Sequence, residues 1–273
     1  MAVFTAALVF WVAVARGLQM LTNDEEPLLF YEQLEPEEAE QYAGLLTIAH
    51  NSGNSRPATQ SAIAYHADAI EIDVLEVGGQ LRAAHTAPTT IVGEYLSQSP
   101  SLASAWANAQ PAGTIVLDLK ETSPSFRDRL FKFLRSREES GVEVIITTRS
   151  VPVLEAAYER YPAALRVLSV ASQAGLDAAF ESPGLGEVIQ GVSVRADLLT
   201  EENVAALRGR EVMVIAWVVN QLPSVRELVE WGVDGVTTDN LALLELVHDA
   251  RIALDEADAE ADQAGEAIAE VVS

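Results

Sequence analysis

Glu71 and Asp73 stand two residues apart in the apolar run AIEIDV (69–74), and in an extended chain that spacing sends both carboxylates to one face. Two carboxylates held so close repel each other unless a cation or a shared proton relieves them. Asp118 lies in another apolar run, TIVLDL (114–119), and can add a third oxygen. An all-oxygen set suits Mg²⁺ or Ca²⁺ rather than zinc, with water or substrate phosphate in the remaining positions. Taken singly, Glu71 or Asp73 reads better as a helix cap or an arginine partner; taken together, the three read as ligands of a divalent cation. The chain then turns at Gly78-Gly79 and returns to His85, while His50 closes the run LLTIAH (45–50). Two histidines flanking a phosphoryl group at such a centre can divide general acid and general base work near neutral pH. His66, in QSAIAYHADA, and His248, near the C-terminus, lack such surroundings and read as structural.

These side chains need a scaffold that gathers strand ends. Eight strand-like runs occur: 45–50, 69–74, 114–119, 142–148, 165–170, 188–194, 212–219 and 233–238. Between them lie segments with apolar residues at helical spacing, such as VPVLEAAYERY, QAGLDAAFES, TEENVAALRG and LPSVRELVEWG. Strands alternating with helices predict a parallel sheet, and eight such units predict one closed (β/α)8 TIM barrel, an α/β fold, over residues 45–250. In that fold the active site lies at the C-terminal ends of the strands. His50, Glu71, Asp73, Asp118, Lys120, Thr148, Arg149, Arg195, Trp217, Asn220 and Asp239 fall there.

The chain resembles the glycerophosphodiester phosphodiesterase family over roughly residues 46–246. The resemblance is carried by IAHNSGNSRPATQSAIAYHADAIEIDV, GGQLRAAHTA, VLDLK, VIAWVVN and WGVDGVTTDN, in the family's order and spacing. It implies a metal-dependent phosphodiesterase that hydrolyses glycerophosphodiesters to glycerol phosphate and an alcohol. By position, Glu71 and Asp73 match the E-x-D metal ligands, and Asp118 falls where the family has a third, glutamate ligand. His50 and His85 match the catalytic pair, Lys120 a lysine near the phosphate, and Trp217 and Asn220 a motif expected to line the pocket. Three positions depart from the pattern. Asn51 replaces the arginine after the first histidine, Ala58 replaces a glutamate, and Asp118 is one methylene short. Arg56 or Arg149 is the candidate for the missing guanidinium, which would grip phosphate bidentately. Asp118 in LDLK and the lost arginine also resemble the sphingomyelinase D-like branch, which cleaves phospholipid headgroups. A non-enzymatic alternative is a barrel that binds a phosphate-containing ligand without hydrolysing it.

The chain of 273 residues carries 41 acidic against 17 basic residues, a net charge of -24, and only two lysines, Lys120 and Lys132. Such a surface opposes binding to nucleic acid or anionic lipid and predicts adaptation to high salt. The partner expected is a small-molecule or lipid-derived phosphodiester. With no cysteine, disulfides and thiolate metal sites are excluded. Residues 1–22 open with the apolar run MAVFTAALVFWVAVA, short of the roughly 20 residues of a bilayer span. A membrane anchor, a signal-like segment and a helix packed on the domain all fit it. The acidic stretch 23–44, read as a solvated spacer, favours the anchor and a membrane location, the alternative being the cytoplasm of a high-salt organism. Residues 251–273 read as an acidic tail, a solvent-facing or frayed helix without a catalytic role.

Overall fold

The computed structural model describes residues 36–86 and 99–272. The hydrophobic segment 1–22, most of the 23–44 spacer and residues 87–98 lie outside them.

Eight parallel strands form the expected TIM barrel. They are β1 (Leu46–Ala49), β2 (Ala69–Val77), β4 (Thr114–Leu119), β5 (Glu143–Thr148), β6 (Leu165–Val170), β7 (Gly191–Arg195), β8 (Met213–Trp217) and β9 (Gly235–Thr238). β1 pairs with both β9 and β2 and so closes the ring. The strands are rich in Val, Ile and Leu because a parallel strand covered by helices is buried on both faces. Their inward side chains Ile48, Ala69, Val116, Ile145, Val167 and Ile215 pack into one interior cluster, the filled lumen of this fold. The expected 188–194 strand begins only at Gly191, where a Cβ would meet the Met213 carbonyl oxygen at 3.2 Å.

One strand lies outside the ring: β3 (Gln80–Ala83) runs antiparallel to β2, with Val77 opposite Gln80. Gly78 and Gly79, at φ 57° and 78°, make its two-residue turn, in the left-handed region that glycine enters freely.

The helices are α1 (Pro36–Tyr42), α2 (Arg56–Ala64), α3 (Leu102–Ala109), α4 (Pro124–Arg135), α5 (Val151–Arg160), α6 (Gln173–Glu181), α7 (Glu201–Arg208), α8 (Leu222–Glu230) and α9 (Leu241–Val272). Side-chain caps start several of them: Ser123 accepts from the Phe126 amide, and Thr200 and Asn203 form a capping box. Helix α4 buries Phe126, Leu130, Phe131 and Leu134, the apolar stripe expected of a helix packed on a sheet.

Two places differ from the sequence reading, at residues 36–42 and at His66, and the C-terminal helix gains an anchor that the sequence did not show. Residues 36–42 of the spacer are helical, and Ala39 and Tyr42, three apart on one face, are buried. Helix α9 continues unbroken through residues 251–272, and Arg251 reaches back to the barrel floor. Its guanidinium donates to Asp68 Oδ1 at 2.6 Å and Oδ2 at 2.9 Å, and to the carbonyls of Ala43 and Leu45. Helix α2 ends before His66, which takes φ 59° and stacks on His248 with ring centroids 3.8 Å apart. Among the described residues no helix is long and apolar enough to cross a membrane.

Candidate active site

The period of two on β2 directs Glu71 and Asp73 into the lumen, while Ile70, Ile72 and Val74 point to the helices and are fully buried. In the β2–β4 register Asp73 stands beside Asp118, so the third carboxylate faces the same way. Each of the three offers an oxygen within 4.8 Å of the others. Lys120 follows two residues after Asp118, and its ammonium lies 2.7 Å from Asp73 Oδ1 and against Asp118 Oδ2.

A short 3-10 turn, Ser52–Asn54, with Asn51 before it, holds Glu71 and Asp73 from the β1 side. The Asn51 amide donates to Glu71 Oε2 at 3.2 Å. Asn54 grips Asp73 twice: its Nδ2 donates to Oδ2 at 2.6 Å and its Oδ1 accepts from the Asp73 amide at 3.0 Å. Between them Gly53 is pressed onto β2, where a Cβ would lie 2.2 Å from Ile72 Cγ1 and 2.8 Å from the Glu71 carbonyl oxygen.

The two histidines approach from different elements. His50, just past β1, pairs through Nδ1 with Asp239 Oδ1 at 2.8 Å, and its Nε2 is 3.0 Å from Asn51 Nδ2. Asp239, just past β9, donates its amide to Asn220 Oδ1 at 2.9 Å, which also accepts from Thr238 Oγ1 at 3.1 Å. His85 follows the hairpin strand and is exposed. The Ala84 amide, bonded to the Asp73 carbonyl at 3.0 Å, holds it beside the carboxylates.

His50, Glu71, His85, Asp118, Lys120, Arg149 and Trp217 line one pocket at the mouth of the barrel, together with the hydroxyls of Thr147, Ser169, Ser193 and Thr237. Asp73 lies just beneath its surface, fully buried. Of the expected substrate-binding residues, Arg149 and Trp217 stand in the pocket wall, whereas Asn51 and Asn220 stand behind it, Asn51 against Glu71 and His50 and Asn220 as a brace for Asp239. Arg149 faces the pocket and Arg56 does not, so of the two arginines only Arg149 can meet a bound phosphate. Trp217 is held by its Nε1, which donates to the Ser193 carbonyl at 2.9 Å.

Burial pushes the Glu71 carboxyl up to about 7. Asp118 and Asp73 add to the rise, and the His50 charge and the Asn51 amide oppose it. Burial pulls His50 down, but the hydrogen bond to Asp239 and the charges of Glu71, Asp239 and Asp73 outweigh it, leaving the imidazole above its ordinary value. Desolvation likewise opposes the Lys120 charge, and Asp118 and Asp73 overcome it. Glu71, Asp73 and Asp118, two of them paired with the Lys120 ammonium, offer an oxygen-only donor set, which fits a hard divalent cation.

Asn54 was not singled out in the sequence, and Asp239 was placed at a strand end without a role. Asn54 binds a partner 19 residues away and carries no motif. Asp239 stands in the quoted GVTTDN element, but its hydrogen bond to His50 spans 189 residues, and only the closed ring brings the two together.

No protein-family model and no curated protein matches the chain. Solved structures do. A phosphodiesterase from Oleispira antarctica, in complex with the product sn-glycerol-3-phosphate, superposes with a TM-score of 0.58 at 16% identity, covering 77% of this chain and 99% of that one. A glycerophosphodiester phosphodiesterase from Parabacteroides distasonis gives 0.59 at 16%, covering 79% and 99%. One from Thermotoga maritima gives 0.56 at 15%, covering 73% and 96%. The chain therefore shares its fold, over nearly the whole length of those proteins, with glycerophosphodiester phosphodiesterases.

Proposed function

We propose that the barrel is a phosphodiesterase that hydrolyses glycerophosphodiesters to glycerol phosphate and an alcohol. The observation that carries this reading is the convergence of three carboxylates, one lysine and two histidines at the C-terminal mouth of a barrel of this fold. Glu71, Asp73 and Asp118 would hold a divalent cation, Mg²⁺ or Ca²⁺. When bound, such an ion supplies positive charge to the phosphoryl oxygens, where negative charge grows in the transition state.

The remaining work belongs to the chain's own groups. Asp239 accepts the Nδ1 proton of His50, and the attacking oxygen, replacing the Asn51 side-chain amide at Nε2, gives its proton to that lone pair. Attack by water yields glycerol phosphate directly, and attack by a neighbouring glycerol hydroxyl yields a cyclic phosphate that water then opens. His85, on the hairpin side, protonates the departing alcohol. Arg149, just past β5, supplies the guanidinium that Asn51 lacks. Thr147, Ser169 and Ser193 offer hydroxyls to the polar alcohol, and Trp217 walls the same side.

Glycerol phosphate release from glycerophosphodiesters by the full chain, with Mg²⁺, with Ca²⁺ and with EDTA, tests the reading. EDTA-sensitive turnover that falls about 10²–10⁴-fold in both His50→Ala and His85→Ala supports it. A folded chain that binds the cation and turns nothing over is a phosphate-ligand-binding barrel instead. The LDLK segment, with Asp118 as third ligand, favours one second reading, headgroup cleavage of phospholipids. Release of choline from sphingomyelin, with none of glycerol phosphate, would establish it.

A further inference from the structure

We propose that Lys120 is the resident counter-ion of the carboxylate cluster, and that a divalent cation enters by displacing its ammonium, which then becomes free to meet the phosphoryl oxygens of the substrate. The proposal rests on the phosphodiesterase reading and deepens it, because it sets an order: cation first, phosphodiester second.

Occupancy of the carboxylates is the first ground. Asp73 Oδ1 faces the Lys120 ammonium at 2.7 Å and Asp73 Oδ2 accepts from Asn54 at 2.6 Å, so both oxygens of this fully buried carboxylate are engaged. The same ammonium touches Asp118 Oδ2. Two of the three candidate ligands are thus neutralised by one side chain, and a dication bound to them would stand within a few ångströms of a like charge. Coulomb repulsion at that range in a partly buried site is strong enough to expel the more mobile of the two.

Lys120 is built to be the one that moves. Its backbone is pinned, with its amide donating to the Val74 carbonyl at 2.9 Å, while its side chain is 24% exposed on the pocket side. The residue type points the same way. Arginine supplies fifteen of the seventeen basic residues of this chain, yet here the position is lysine. A guanidinium fork would lock onto two carboxylates in fixed geometry, whereas an ammonium on a four-carbon stem carries rotatable donors and can exchange partners.

Until it is displaced, the ammonium is tied to Asp73 and Asp118, and an incoming phosphate would meet the Glu71 side of the cluster without it. After displacement, the cation covers the carboxylates and the ammonium turns to the pocket. Phosphate binding then depends on prior cation binding.

The chain offers its own internal control, since the only other lysine, Lys132, is exposed on α4. Amine acylation of the full chain, read peptide by peptide by mass spectrometry, compares the two. In EDTA, Lys120 is labelled more slowly than Lys132; saturating Mg²⁺ raises its labelling severalfold and leaves Lys132 unchanged. Calorimetry gives the second readout: Lys120→Met binds Mg²⁺ about tenfold tighter than wild type, because a competing charge is gone. Wild-type labelling decides the matter if that variant does not fold. Mg²⁺ binding to wild type with no change at Lys120, or a Lys120→Met affinity equal to or weaker than wild type, overturns the proposal alone. Absence of any heat from Mg²⁺, Ca²⁺ or Mn²⁺ with wild type overturns the metal-dependent reading and the proposal with it.

Discussion

The hydrogen bond that His50 Nδ1 gives to Asp239 sets the tautomer of the imidazole and, with the charges of Glu71, Asp239 and Asp73, raises its proton affinity against burial. Asp239→Asn keeps the shape, removes the charge and can present the wrong ring nitrogen. The expected outcome is a fall in kcat of about a hundredfold or more. The same change lowers the His50 pKa, so the acid side of the pH–rate profile moves to lower pH; a profile that stays in place would show that Asp239 does not act through His50. Asn54 is the second silent partner. Asn54→Ala strips Asp73 of a carboxylate contact and leaves its amide unpaired, and unfolding free energy falls by about 1–3 kcal/mol in a denaturant titration. At this scale the carboxylates and histidines were legible in the sequence, because a spacing of two and a strand end are local facts. Asn54 and the pairing of Asp239 with His50 were not, because each is defined by a partner that only the folded chain supplies.

Among the elements, the turn between β1 and α2 couples fold and site most tightly. Gly53→Ala would force its new methyl against Ile72 and the Glu71 carbonyl, so both stability and cation affinity drop, checked by thermal melts with and without Mg²⁺. The eight strands could be read from their runs of β-branched and apolar residues. The helical state of 251–272 could be read as well, since its alanines favour helix, but the hold of Arg251 on Asp68, 183 residues away, could not. This anchor is polar. Burial would raise the Asp68 carboxyl, but the Arg251 and Thr47 hydrogen bonds and the Arg251 charge hold it below its ordinary 3.8. A carboxylate with a depressed folded pKa stabilises the protein at neutral pH, and that contribution is lost as the pH falls below the ordinary value. Arg251→Met therefore lowers stability at pH 7 and flattens the acid loss that sets in as the pH falls below the ordinary carboxylate value, as followed by circular dichroism.

For the molecule as a whole, a net charge of -24 means that self-repulsion opposes the compact state. Raising KCl from about 0.1 M to 1 M shortens the screening length from about 10 Å to 3 Å, and Tm is expected to rise across that range. Equal melting at both salts would remove high-salt adaptation as the reason for the acidic composition. The ring closure has a consequence of its own. β1, the first strand of the barrel, is held by β9, the last, and the His50–Asp239 pair sits across that seam. A chain emerging from the ribosome carries its carboxylates and both histidines long before Asp239 is made. With His50 as the proposed base, turnover waits until β9 docks on β1 and supplies Asp239.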